Sequence, residues 1–147
     1  MNTNRNNHVV LLGIGIVLML AALPARWMTI HNATVTGLNT VFNQQTLHIT
    51  GLNGSITLGL KVATWVIVLV GVSALFLLIL NTLKVTALSK YLVLIPLAFS
   101  SIYSAASIIV GLGSEQTTMA FGGFLIPLGS AIGLYVFILN YLQNRPA

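Results

Sequence analysis

The sequence predicts an all-α membrane protein, a four-transmembrane-helix antiparallel bundle with a small extracytoplasmic β-sheet between helices 1 and 2. Three observations lead there. Of the 147 residues, 56% are apolar and 5% charged, where an ordinary soluble domain is roughly a quarter charged. The mean hydropathy of +0.97 is concentrated in four apolar runs, each near the ~20 residues that cross the hydrocarbon core of a bilayer. Between the first and second runs the pattern changes to the alternation of a β-strand.

The first run, residues 9–27, follows a polar start (Asn2, Asn4, Arg5, Asn6, Asn7) and ends at Leu23-Pro24-Ala25-Arg26. A secretory signal is the competing reading, with Leu23-Pro24-Ala25 as its cleavage site. The run is longer than a usual signal core, so we read a retained helix. The second run covers residues 62–80, the third 91–112 and the fourth 119–142, and together they make one membrane domain over 1–147. The connections at 81–90 and 113–118 are short, which forces sequential helices to run in opposite directions.

The basic residues give the orientation. With a cytoplasmic N-terminus, Arg5, Lys84, Lys90 and Arg145 lie inside and Arg26, Lys61 and Glu115 outside, in line with the positive-inside bias. The expectation is a multi-pass protein of the cell membrane (inner or plasma) with both termini cytoplasmic and residues 28–60 extracytoplasmic. That outer segment is rich in Thr, Asn, Gln and Gly, with alternating apolar residues at Leu47 and Ile49 and at Ile56, Leu58 and Leu60. It holds a near-repeat: Val35-Thr36-Gly37-Leu38-Asn39 returns as Ile49-Thr50-Gly51-Leu52-Asn53. Each copy reads as a strand end followed by turn residues, and Asn53-Gly54 is a favoured type I′ hairpin pair. A sheet of two to four strands lying on the outer helix ends is expected, because so small a sheet is not stable alone in water.

Composition removes much chemistry. Glu115 is the single acidic residue and there is no cysteine, so one copy cannot assemble paired carboxylates, a Ser-His-Asp set or a thiolate site. We therefore expect a non-enzyme with no cofactor and no metal. His8, His31 and His48 all lie outside the spans; a hairpin that brought His31 and His48 together would offer a metal no carboxylate or thiol partner, so we read them as exposed structural residues. The formal charge of +5 is scattered rather than gathered into a patch, which argues for lipid headgroups and against nucleic acid as the counter-charge. Lys84 and Lys90 are the candidate contacts to anionic lipid.

The spans carry small residues where helices pack. Gly122, Gly123, Gly129, Ser130 and Gly133 lie on the fourth, and Gly129 and Gly133 have the small-xxx-small spacing that lets backbones approach closely. Ser100, Tyr103, Ser104, Ser107 and Gly111 recur at helical spacing on the third. We take Gly122, Gly129, Gly133, Ser104 and Ser107 as the helix-packing or subunit-interface set. The alternative is a pore lined by Ser100, Ser104 and Ser107. No ionisable residue occurs mid-span, which disfavours a pump or coupled carrier. The third and fourth spans share a phrase, Leu94-Ile95-Pro96-Leu97-Ala98 and Leu125-Ile126-Pro127-Leu128-Gly129, whose prolines each free a carbonyl and should kink the helix, the alternative being simple tolerance near a helix start. Trp27, Trp65, Tyr91 and Tyr141 fall at span boundaries, as an interfacial belt would. The sequons at Asn32 and Asn53 are given no function.

Four spans, cytoplasmic termini, a first outer loop that forms a small sheet, a Trp just past the first span and a short second outer loop resemble the claudin-like tetraspan layout. The resemblance is one of layout: Gly37-Leu38 and Gly51-Leu52 are each followed by Asn rather than Trp, and the cysteine pair of that family is absent, so no functional residue is carried over. Leu23, Pro24 and Trp27 also resemble the Leu-Pro-(x)-Trp that follows the first helix in small prokaryotic four-helix membrane proteins. The function expected is association, as an accessory subunit of a membrane complex or a self-associating scaffold, with lipids and other subunits or further copies as partners. A passive channel or small-solute permease is the alternative.

Overall fold

Leu23-Pro24 ends the first helix earlier than its apolar run does. In the computed structural model, which describes residues 3–37, 40–85 and 90–143 and side chains over 5–31, 46–85 and 91–140, α1 is Thr3–Ala21. Its last turn closes with the amides of Ala22 and Leu23 bonded to the carbonyls of Leu18 and Leu20, and the residue before a proline is pushed out of the helical region. The polar residues from Thr3 to His8 are helical as well, so the apolar part, residues 9–21, is only about 20 Å long at 1.5 Å per residue. The span expected at 9–27 is thus displaced, and Trp27 belongs to a strand. The other helices are α2 (Thr64–Thr82), α3 (Lys90–Leu112) and α4 (Gly122–Gln143). These three, and not α1, are long and apolar enough to cross a membrane.

Pairs of contacts give the helix directions. His8 meets Asn140 and Met19 meets Gly129, so α1 and α4 run oppositely. Gly15 lies against Leu75 and Met19 against Gly71, which sets α2 opposite to α1. Ser100 bonds to Ile67 in α2 and Tyr103 to Leu60 in the strand that leads into α2 (Leu60–Ala63), so α3 runs opposite to that stretch of chain. The shared core of Leu12, Met19, Trp27, Leu75, Leu97 and Ile126 draws on α1, α2, α3, α4 and the first strand.

The outer segment forms β1 (Arg26–Gly37), β2 (Thr40–Thr50), β3 (Ser55–Leu58) and β4 (Leu60–Ala63). β4 and β5 (Thr117–Met119) occupy positions expected in the second and fourth spans or in the last loop. β5 is too short to show a period in sequence, yet it pairs with Met28–Ile30 and ties the α3–α4 connection to β1. The strand order is β2-β1-β5, with β3-β4 as a separate hairpin. Gly59 turns that hairpin at φ +73, a conformation that costs other residues a clash at Cβ.

Asn53-Gly54 is not the expected type I′ pair, since neither residue has the positive φ that turn needs. Instead the Asn53 carboxamide closes the β2–β3 turn: its Oδ1 accepts from the amide and hydroxyl of Thr50 (2.7 and 3.1 Å), and its Nδ2 donates to the carbonyl of His48 (3.2 Å). The Thr64 hydroxyl, at the start of α2, lies 2.8 to 3.2 Å from the carbonyls of Thr50, Gly51 and Gly54. It has one proton to give among three acceptors, and it fastens the turn to the helix. Of the two near-repeat copies, one ends β1 and the other ends β2; Leu38 and Asn39 lie outside the described residues.

At the far end of α2 the chain leaves through a Schellman motif. The amide of Val85 bonds to Leu80 O and that of Lys84 to Asn81 O, both at 3.0 Å, and Lys84 takes the left-handed position at φ 59. Glycine is usual there, and a side chain in that region costs roughly 1–2 kcal/mol.

Candidate functional site

The small residues of α4 are used inside the single chain. A Cβ at Gly129 would lie 2.7 Å from Met19 Cγ and 2.9 Å from the carbonyl oxygen of Gly15. One at Gly122 would lie 2.5 Å from the carbonyl oxygen of Arg26, and one at Gly133 would run into the side chains of Leu75 and Leu97. Gly122 and Gly129 therefore seat α4 on α1 and its exit, and Gly133 seats it between α2 and α3.

The hydroxyl face of α3 is likewise inside. Ser100, Ser104 and Ser107 are buried. Ser100 donates to the carbonyl of Ile67 in α2 at 3.2 Å, while Ser104 and Ser107 donate to Ser101 O and Ser104 O in their own helix (3.1 and 2.7 Å). Gly71 leaves room for Ser100, whose Oγ would be 2.6 Å from a Cβ at that position. Such contacts bring α2 and α3 together at hydrogen-bonding distance, which small residues permit between apolar helices.

Two features lay outside what a one-dimensional reading could see. Trp27 is 0% exposed and its indole N–H donates to Ala22 O at 2.7 Å, so it plugs the junction of α1 and β1 rather than joining an interfacial belt. Trp65, at 45% exposed, and Tyr91 lie exposed at the starts of α2 and α3. His8 is buried and bonded through Nδ1 to Asn140 Oδ1 (3.2 Å). Asn140 Nδ2 donates to Thr82 Oγ1 (3.0 Å), which donates to Leu78 O (2.8 Å). The amide oxygen can only accept, so His8 holds its proton on Nδ1. This chain links the ends of α1, α4 and α2; the sequence shows three polar residues near span ends, with nothing to pair them.

At the other end, one face of the three-stranded sheet carries the two outer histidines. His48 Nδ1 meets Thr29 Oγ1 and His31 Nε2 meets Thr118 Oγ1, both at 3.1 Å. Each imidazole is thus engaged with a threonine of the adjacent strand. Among the described residues, no three His, Cys, Asp or Glu side chains are grouped to hold a metal. Asn53 is spent on its turn, as described above.

The sheet also has a free edge. β5 pairs with β1 at Met28–Ile30, and the amide of His31 bonds to the carbonyl of Gln116 just beyond, whereas the β1–β2 register continues to Gly37↔Thr40. Past His31, among the described residues, the hairpin is two-stranded and β2 has β1 as its one sheet neighbour. No Lys, Arg, Asp, Glu or Pro occurs between residues 31 and 50, so the residues that usually protect an edge strand from pairing are missing.

Charges separate by end. Arg5 and Lys84 lie exposed at the His8–Asn140–Thr82 end, where Lys90 begins α3; its side chain and Arg145 lie outside the described residues. Arg26, Lys61 and Glu115 lie at the sheet end. No model of a protein family matches this sequence, and no curated protein matches it.

Proposed function

We propose that the chain is a non-catalytic integral protein of the cell membrane, a bundle of four antiparallel helices, three of them spanning and α1 shorter beside them, that works by association through its extracytoplasmic hairpin. It acts as a subunit of a membrane assembly or as a scaffold of its own copies. The observation that carries this reading is the uncharged free edge of β2 (Thr40–Thr50), because unpaired strand N–H and C=O groups recruit another strand. The packing of Gly122, Gly129, Gly133, Ser104 and Ser107 inside one copy supports placing the contact on the sheet and not on the helices. α1 is short for a span, and its Leu23-Pro24 exit carries the chain on to the sheet. Arg5, Lys84 and Lys90 at one end support that end as the cytoplasmic one.

The natural chain has no cysteine, so a single Thr46→Cys on β2 is a clean probe. Mild oxidation in the native membrane should give a disulfide-linked species, or a bifunctional thiol reagent a crosslinked one, and gentle extraction should give a mass above one copy. Thr46→Lys, which puts a charge on the edge, should reduce both. A single-copy mass together with an unreacted Thr46→Cys monomer would overturn the reading.

A further inference from the structure

We infer that the end of the molecule that carries Arg5 and Lys84, beside the buried His8, is a binding site for the phosphate of an anionic phospholipid. The inference rests on the proposed membrane embedding but is independent of association.

The first ground is charge. Arg5 and Lys84 are both exposed, and the only carboxylate side chain in the sequence, Glu115, follows α3 at the sheet end. No acidic side chain of the same copy lies at this end to compete with an incoming anion. The second ground is position. Arg5 stands one turn before His8 in α1, and Lys84 stands two residues past Thr82 in α2. The chain His8–Asn140–Thr82 ties those two helix ends to one another through α4, so the backbones that carry the two cations do not move independently. Ordering two cations in advance lowers the entropic cost of binding one phosphate.

The third ground is backbone conformation. Lys84 occupies the left-handed position of a Schellman motif where glycine fits without strain. A strained residue kept at a functional surface is a pointer to what its side chain does. A cation near a helix C-terminus also favours the helix dipole, and the experiment separates the two roles. If the lysine serves the fold alone, replacing it by glycine changes stability and leaves lipid retention as it was. If it serves a phosphate, glycine relieves the backbone and removes the ligand contact, and the two readouts move in opposite senses.

The full chain is placed in nanodiscs of mixed phosphatidylglycerol and phosphatidylcholine, extracted gently, and the retained lipid counted per copy by native mass spectrometry. Wild type should keep phosphatidylglycerol in preference to phosphatidylcholine. Lys84→Gly and Arg5→Gln should each lower that preference by roughly fivefold, the equivalent of about 1 kcal/mol for one basic residue at an anionic surface. Lys84→Gly should melt higher than wild type in neutral detergent, and Lys84→Asn, which also tolerates the left-handed region, should lose the lipid while staying folded. A parallel titration with inorganic phosphate in detergent tells the sources apart: protection by phosphate alone, lost in Lys84→Gly, keeps the site and makes its ligand a soluble anion. Equal lipid preference in wild type and all three variants, with no effect of phosphate, overturns the proposal. Because retention is counted per copy, a chain that stays single yet keeps the lipid would refute association and leave this site standing.

Discussion

Gly129 lets α4 rest on the backbone of α1, so close that a Cβ there would stand 2.9 Å from the carbonyl oxygen of Gly15. The neighbour is backbone and cannot swing aside, so a side chain at 129 forces the helices apart. Gly129→Leu should therefore destabilise a single copy by about 3 kcal/mol or more, visible as a lower melting temperature at protein concentrations where any assembly has dissociated. Gly13, two residues before Gly15, has open space around its Cβ position. Gly13→Ala should be neutral or raise stability by roughly 0.5–1 kcal/mol. If Gly129→Leu melts like wild type while losing assembly, the residue faces a partner and the packing described above is wrong.

Trp27 and Trp65 are the two tryptophans, and they occupy opposite environments. In single-tryptophan variants, Trp27 should emit to the blue of Trp65 and resist a quencher placed at headgroup depth, which Trp65 should not. Trp27→Phe keeps most of the bulk and loses the bond to Ala22 O, at a cost of about 1 kcal/mol. Trp27→Ala should cost about 3–5 kcal/mol. Equal quenching of the two indoles would return Trp27 to the membrane interface.

The contrast between these tryptophans shows what sequence can and cannot carry. Apolar runs announce α2, α3 and α4 because the period and length of a span are properties of a contiguous segment. The positions of Gly129 and Gly133 also follow from local spacing. What they touch does not: Gly15 and Leu75 are far away in the chain. β5 went unseen because three residues have no period, and its strand character comes from pairing with Met28–Ile30. Trp27 was misplaced because the apolar run continues through Pro24 although the helix does not. The His8–Asn140–Thr82 chain is legible in no segment, since each member is an ordinary polar residue near a helix end until three helices meet.

That chain predicts coupling. Removing the Asn140 carboxamide strands the His8 Nδ1–H and takes away the donor to Thr82. Asn140→Ala and Thr82→Ala should each destabilise, and the double variant should fall short of their sum by between about 0.5 and 2 kcal/mol. Strict additivity in a double-mutant cycle, measured by unfolding in mixed micelles, would mean that the two side chains do not share a bond.

Ser100 and Ser130 make the sharpest pair, because two buried hydroxyls of similar exposure should respond with opposite signs. Ser100 gives its proton to Ile67 O across a helix interface, so Ser100→Ala should lower stability by about 1 kcal/mol. It also opens a void beside Gly71. Ser130 is 1% exposed and its Oγ has no hydrogen-bond partner, and a buried hydroxyl without a partner costs more than the methyl that would replace it. Ser130→Ala should leave stability unchanged or raise it by about 1 kcal/mol. Thermal melting of the two alanine variants side by side in one detergent checks this. A loss in Ser130→Ala as large as that in Ser100→Ala would show that Ser130 holds a polar group in the folded protein, and the interior of α4 would then have to be read as hydrated.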